Sequence, residues 1–414
     1  MFVEHEDKIN DIKSSDNIFL YLNMTAIFKM KKLSFTLLIL FLLVNNSNSK
    51  EIIFAGTGYL ASNNEIKSKF PNLCSLSGDS TRTCYISDFN KFYNLAIGYS
   101  NETISIVDKK SSDAINYMIA LAFEEEVVEE VFALGKRNLQ LGLIARVVLY
   151  DFEKKNLLAS YPISVRTLLT CETSSACSNA RIKSEFKNLI FGENSSSILK
   201  LFPDMISKIN PNPGRLFIQI NEIEIGEKAP QVFDLSNADK LSYKKWLAST
   251  LEVYFSKNLN IPILPYTQGQ VVGSVMPLKI ADTEKAFDLS LPPASFFINF
   301  RLRGQLKKLL DETNNRQAYS YISGIKVQLA SKRQVYFDHK FQRGNVVNIP
   351  KDAKVSDASQ FKESLRVLIN QLSGQFFKPE TKWIKKHKSD KKIKDKVIAK
   401  DFKNAESLVL VKVR

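Results

Sequence analysis

Two apolar stretches, residues 139–150 and 157–168, each read as one long strand, and a polar turn from Asp151 to Asn156 joins them. A pair of this length needs a sheet to lie in, so the chain is not all-helical. The same succession of long strand, polar turn, second strand and amphipathic helix returns later, where 325–341 precedes a helix at 358–373. Little residue identity accompanies the repeated order. The expected fold class is α+β: two α/β units of mixed, largely antiparallel sheets with amphipathic helices packed on them.

Around these anchors the remaining elements follow from periodicity and breakers. Residues 51–57 read as a first strand, and 94–99 with 103–107 as a hairpin about Ser100-Asn101. Residues 113–132 read as a helix with Ile115, Met118, Ile119 and Ala122 as its apolar stripe, capped by Ser112 or Asp113. Helices are expected at 181–190 and 196–209. Pro211-Asn212-Pro213-Gly214 is the clearest breaker. It divides a first domain, 50–210, from a second, 215–377. The second opens with a strand at 216–225 and a helix at 242–256 carrying Trp246, Leu247, Thr250, Leu251, Tyr254 and Phe255 on one broad face. Strand-like runs follow at 273–281, 285–291, 295–303, 318–330 and 333–341. Asp357 is placed to cap the closing helix, with Gly374 at its C-terminal end. Residues 378–414 form a lysine-rich tail.

The compartment is set by Met30-Lys31-Lys32 followed by the apolar run 37–44 and small residues up to Ser49. A short basic start, a short apolar stretch and a small-residue site make a secretory signal peptide. A membrane span needs about 20 apolar residues. Translation is expected to begin at Met30, cleavage to fall near Lys50, and the mature chain to reside in the periplasm or outside the cell. The four cysteines form two close pairs, Cys74/Cys84 and Cys171/Cys177. An even number in an exported chain points to disulfides, local pairing being favoured among three connectivities. Neither pair has the spacing of a zinc site or a redox motif.

Candidate chemistry is sparse. The 414 residues include only three histidines, His5, His339 and His387. Asp338 and His339 adjoin in a strand, and alternation sends them to opposite faces. Gly56-Thr57-Gly58-Tyr59-Leu60-Ala61 fits a dinucleotide-binding glycine pattern, but no amphipathic helix or acidic strand end follows, so a loop that needs glycine's flexibility is expected instead. Glu124, Glu125, Glu126, Glu129 and Glu130 crowd the predicted helix 113–132 and are expected on a solvated face. No cofactor, metal site or catalytic residue is assigned.

The net charge is +15, and residues 378–414 carry 13 Lys/Arg against five Asp/Glu. Lys385, Lys386, Lys388, Lys391, Lys392 and Lys394 are its densest part. They are the candidate contact for a polyanion, which outside the cytoplasm means an anionic lipid surface or envelope polymer and not nucleic acid.

The phrases Phe54-Ala55-Gly56, Leu149-Tyr150-Asp151-Phe152 with Tyr161-Pro162, Ile261-Pro262-Ile263-Leu264-Pro265-Tyr266, and Val335-Tyr336-Phe337-Asp338 resemble an uncharacterised family of exported proteobacterial proteins. That resemblance implies a compartment and no chemistry. The element order is loosely similar to the envelope domains of TolB N-termini, the curli-secretion lipoprotein and activators of penicillin-binding proteins, which implies partner binding without catalysis. Unlike the lipoproteins, this chain has no lipid-accepting cysteine at its predicted start. The expected function is therefore an exported, non-enzymatic protein that binds an envelope partner. The alternatives are an exported carboxylate-dependent hydrolase and a structural component of an envelope secretion or motor assembly.

Overall fold

Each antiparallel meander in this protein is preceded by a strand that pairs parallel with its first member. The computed structural model describes residues 49–78, 83–108, 116–133, 136–171, 177–194, 196–210, 216–229, 237–267, 275–351 and 356–411. Residues 1–48 of the expected signal segment and the breaker at 211–214 lie outside them. In chain order the strands are β1 (Lys50–Tyr59), β2 (Ile104–Val107), β3 (Tyr117–Ala133), β4 (Lys136–Asp151), β5 (Asn156–Thr170), β6 (Ile218–Lys228), β7 (Val275–Ile280), β8 (Ala286–Ser290), β9 (Phe296–Glu312), β10 (Arg316–Ser331) and β11 (Val335–Pro350). The helices are α1 (Ile66–Lys69), α2 (Pro71–Ser75), α3 (Asn90–Ala96), α4 (Asn179–Phe191), α5 (Ile198–Ser207), α6 (Asn237–Leu259), α7 (Asp357–Gln375), α8 (Thr381–His387) and α9 (Asp395–Ala405).

The fold is α+β with two sheets, ordered β2-β1-β3-β4-β5-β8-β7 and β11-β10-β9-β6. In the first, β1 runs parallel to β3, and β3, β4 and β5 form an antiparallel meander. In the second, β6 runs parallel to β9, and β9, β10 and β11 form the meander. The repeated succession in the sequence is thus a repeated topology.

Of the segment 113–132, the described residues form the strand β3 and not the expected helix. The apolar spacing misleads because both faces of this strand are buried. Ile119, Leu121 and Phe123 enter the core under the helices, and Met118, Ala120 and Ala122 enter the opposite core. A strand covered on both sides reads as a continuous apolar run, which a helical template also fits. The expected hairpin about Ser100-Asn101 is kept in a shorter form: Ser100 bridges Ser105 antiparallel and Tyr99 accepts from the Ile106 N–H, but residues 94–96 end α3 and do not extend the first strand. At α7 the cap is Ser356, which accepts from the Ser359 N–H, and the helix runs on through Gly374. Asp357 instead accepts from Lys307 and Tyr321.

Residues 275–290 also leave their expected place. They lie beyond the 211–214 breaker, yet the β7–β8 hairpin completes the first sheet. Gly58 and Tyr59 of β1 pair with Ile280 and Lys279 of β7, and Asn156 of β5 pairs with Ser290 of β8. Strands β1, β3, β4, β5, β8 and β7 therefore close into a ring. Lys50–Arg414 is one unit. The glycine pattern serves this closure: Gly56 has φ +111°, and a Cβ at Gly58 would stand 2.1 Å from the Lys279 carbonyl oxygen. Asp282 fills the place a side chain at Gly56 would need, and accepts from the Thr57 N–H at 2.8 Å.

The described part of the lysine-rich tail, 378–411, is folded onto the second sheet. Trp383 and Ile384 of α8, and Ile398, Phe402 and Ala405 of α9, pack into the core of the second sheet beside Phe337, Phe341 and Phe376. The apolar side chains between the lysines supply the burial that orders the segment.

Candidate functional site

The acidic run of β3 faces α6 across a cleft. Beyond Phe123, β3 has no partner on the β1 side among the described residues, because β1 ends there. Two cavities open along this edge. One, of about 450 Å³, is lined by Lys69, Glu124, Glu125, Glu126, Lys245, Ala248, Ser249, Glu252 and Tyr266. The other, of about 400 Å³, shares Glu125 and Glu126 and is bounded by Tyr243, Trp246 and Lys362. Both volumes lie in the range of small-molecule sites.

Most carboxylates of the run hold the structure together. Glu124 accepts from Arg146 Nε at 2.7 Å and from Nη2 at 3.0 Å. The same guanidinium is ion-paired to Glu252 of α6 and donates to Ser160 at 3.2 Å. Arg146 is fully buried and Glu252 nearly so. Glu126 accepts from the backbone N–H groups of Asn72 and Leu73 at 3.0 and 2.6 Å, satisfying the start of α2. Glu129 is paired with Lys362 and Arg366 of α7, and these two cations lie over the Trp246 ring.

Glu125 differs. It makes no hydrogen bond among the described residues, and burial followed by repulsion from Glu124 pushes its carboxyl up to about 7. Burial also pushes Glu252 up to about 7, with Arg146 and the Tyr266 backbone N–H pulling the other way. Its Oε1 is buried and closes no hydrogen bond of good geometry, so the Tyr266 N–H satisfies the carboxylate only in part. For Glu129 burial is outweighed by Lys362 and Arg366, and the net shift is downward. Lys69 donates to the Leu60 carbonyl at 2.9 Å, and burial lowers its pKa.

The residues singled out in the sequence fall elsewhere. Cys74 and Cys84 are joined, as are Cys171 and Cys177. His339 faces inward onto Asp401 at 2.8 Å, while Asp338 faces outward onto Lys326 at 3.0 Å. His387 is buried against Trp383. Of the six lysines proposed for polyanion contact, Lys385, Lys386, Lys391, Lys392 and Lys394 are exposed. Lys388 is committed to the fold: it pairs with Asp395 and donates to the Ile393 carbonyl, both at 2.6 Å.

Sequence reasoning passed over Arg146, Glu252 and Lys69. A signal was present in Arg146, a lone charge inside an apolar strand, and in Glu252, the one carboxylate between Lys240 and Leu259 of a helix rich in apolar residues. Charges so placed require buried partners.

No protein-family model and no curated protein matches this chain. Among solved structures, protein XCC0632 from Xanthomonas campestris, of the DUF330 family, is similar over 40% of this chain and 86% of its own, at 10% identity and a TM-score of 0.22. A likeness at that level carries no argument about fold or function.

Proposed function

We propose that this protein is an exported, non-enzymatic binding protein of the cell envelope, whose α8–α9 segment meets an anionic surface. The observation that carries this reading is the arrangement of that segment. Its apolar side chains are buried in the second core, which leaves Lys385, Lys386, Lys391, Lys392 and Lys394 displayed on a folded support. Each lysine close to an anionic membrane contributes about 1 kcal/mol at low ionic strength. Two disulfides support an oxidising compartment. Among the described residues no helix is long and apolar enough to cross a membrane. The far end of the second sheet offers a contact for an envelope protein. Leu306 lies opposite Ile322, and Leu306, Leu310 and Val346 are exposed there.

The test is co-sedimentation with vesicles of phosphatidylglycerol and, separately, of phosphatidylcholine. Binding to the first alone, weakening with salt and at least about tenfold weaker after all five lysines become Gln, is expected. Equal binding to both lipids, or an unaffected five-lysine variant, refutes the anionic-surface role.

The hydrolase reading has one observation in its favour: Glu125 and Glu252 line one cavity and are both pushed up to about 7. Against it, Glu252 and Glu124 share a single guanidinium. A carboxylate held there is not free to act as nucleophile or base. Binding is the use of this cleft that the geometry favours.

A further inference from the structure

We infer that the cleft between β3 and α6 is a binding site for a small zwitterion, an ammonium group beside a carboxylate as in an amino acid or dipeptide, with Glu125 and Glu252 receiving the ammonium and Lys245 the carboxylate. The inference concerns different residues from the lysines of α8–α9 and stands or falls separately.

Unmet hydrogen-bonding capacity marks the cleft. Glu252 lines the larger cavity with Oε1 buried and closing no hydrogen bond of good geometry, and Trp246 lines the smaller with Nε1 in the same state. A buried polar atom without a partner costs about 1–3 kcal/mol. Two such atoms in adjoining cavities that share Glu125 and Glu126 are groups that a ligand satisfies. Glu125, which belongs to both cavities, is a third acceptor with no hydrogen bond of its own among the described residues.

The charges choose the ligand. A simple cation meets Lys69 and Lys245, and a simple anion meets Glu124, Glu125, Glu126 and Glu252. A molecule with both charges is matched at each end. Lys69 is already bonded to Leu60 and held under cover. Lys245 is exposed at the rim and forms no ion pair among the described residues, so it is the cation available to a carboxylate. A metal ion is a poorer occupant, since the described residues contain no cluster of three or more His, Cys, Asp or Glu able to hold one. The elevated carboxyls agree with this assignment. An arriving ammonium favours their charged forms, so binding near pH 7 expels protons.

The experiment is titration calorimetry of the full chain with L-alanyl-L-alanine, its N-acetyl form and its C-terminal amide. The free dipeptide is expected to saturate the protein. Acetylation, or Glu125→Gln, should weaken it about tenfold or more, as loss of one charge-assisted hydrogen bond does. Lys245→Met, a change on the exposed rim, should erase the preference for the free acid over the amide. The binding heat should vary with the ionisation enthalpy of the buffer at pH 7, reporting released protons. Equal affinity for the acetylated dipeptide, or no saturation by the free dipeptide up to roughly 20 mM, overturns the proposal. Neither result bears on the vesicle experiment.

Discussion

In the first sheet β1 lies parallel to β3, with β4 and β5 following antiparallel; in the second, β6, β9, β10 and β11 repeat that order. Helices that follow each meander cover one face. On the other face the two sheets part company. The β7–β8 hairpin and α6 close over the first, so Arg146, Glu124 and Glu252 sit in an interior. Apart from Phe217 and Phe297 at its start, which pack against the buried cluster of the first sheet, nothing described covers the second, whose corresponding side carries Arg301 with Glu224, about half exposed, and Lys326 with Asp338, about a third exposed. Ion pairs on matching sides of one topology thus experience two dielectrics. The closed side demands complete pairing and shifts carboxyl pKa values upward, while the open side leaves each pair to water.

Arg146→Met is the sharpest way to break this contrast. It leaves Glu124 and Glu252 together with no cation between them. Removing one partner of a buried ion pair costs about 3–5 kcal/mol. Urea unfolding should show a loss of that size, and replacing Arg146, Glu124 and Glu252 together by apolar residues should recover much of it. A loss under about 1 kcal/mol would mean that water reaches Arg146 and that the ring is open.

The closed face also predicts a pH dependence. Glu125 and Glu252 have folded-state pKa values raised from 4.5 to about 7, so between those values the folded protein holds protons that the unfolded chain has released. Stability should therefore fall as pH rises from about 4.5 to about 7, and level off above. At 1.36 kcal/mol per unit, neither group changes stability by more than about 3.4 kcal/mol. Glu129, shifted downward, acts oppositely and in a lower window. Thermal unfolding against pH should show the slope, and Glu125→Gln should reduce it. A slope of the other sign between pH 5 and 7 would place these carboxyls in water.

Closure can be tested on the backbone as well. Gly58→Ala puts a methyl 2.1 Å from the Lys279 carbonyl oxygen, and backbone must move to admit it. In the open sheet, Gly344→Ala meets only the side-chain atoms Ser320 Oγ at 2.7 Å and Ile322 Cγ1 at 3.2 Å. Overpacking costs about 1–3 kcal/mol where nothing can yield. Gly58→Ala should therefore cost about 2 kcal/mol more than Gly344→Ala in denaturant melts. Equal costs would show that the β1–β7 contact adds no rigidity.

How far the sequence foretold this follows from where its periodicities were ambiguous. Strands β4, β5, β10 and β11 were legible because their turns, Asp151 to Asn156 and Ser331 to Arg333, are polar and abrupt. The α6 and α7 stripes were legible because one side of each is apolar. Strand β3 was not, since Met118 to Phe123 is apolar on both sides and fits either period. That one misassignment hid the cleft: on a helix, Glu124 to Glu130 scatter around a solvated surface, whereas on a strand edge Glu124, Glu126 and Glu129 reach three different elements. The lysine segment misled in another way. Its charge is plain in the sequence, but Trp383, Ile398 and Phe402 needed the aromatic floor of Phe337, Phe341 and Phe376 to become an anchor.

The smallest effect is expected on the open face and completes the comparison. Lys326 and Asp338 stand 3.0 Å apart with about a third of each side chain exposed, and Arg301 and Glu224 stand 3.2 Å apart with about half exposed. A double-mutant cycle on Lys326→Ala and Asp338→Ala should give a coupling of about 0.2–1 kcal/mol. Molar salt should remove most of it, since the screening length there is about 3 Å. The Arg301–Glu224 pair, more exposed, should couple no more strongly. A salt-resistant coupling above about 2 kcal/mol would mean that this face is shielded from water in solution. The two sheets would then differ in what covers them and not in whether they are covered.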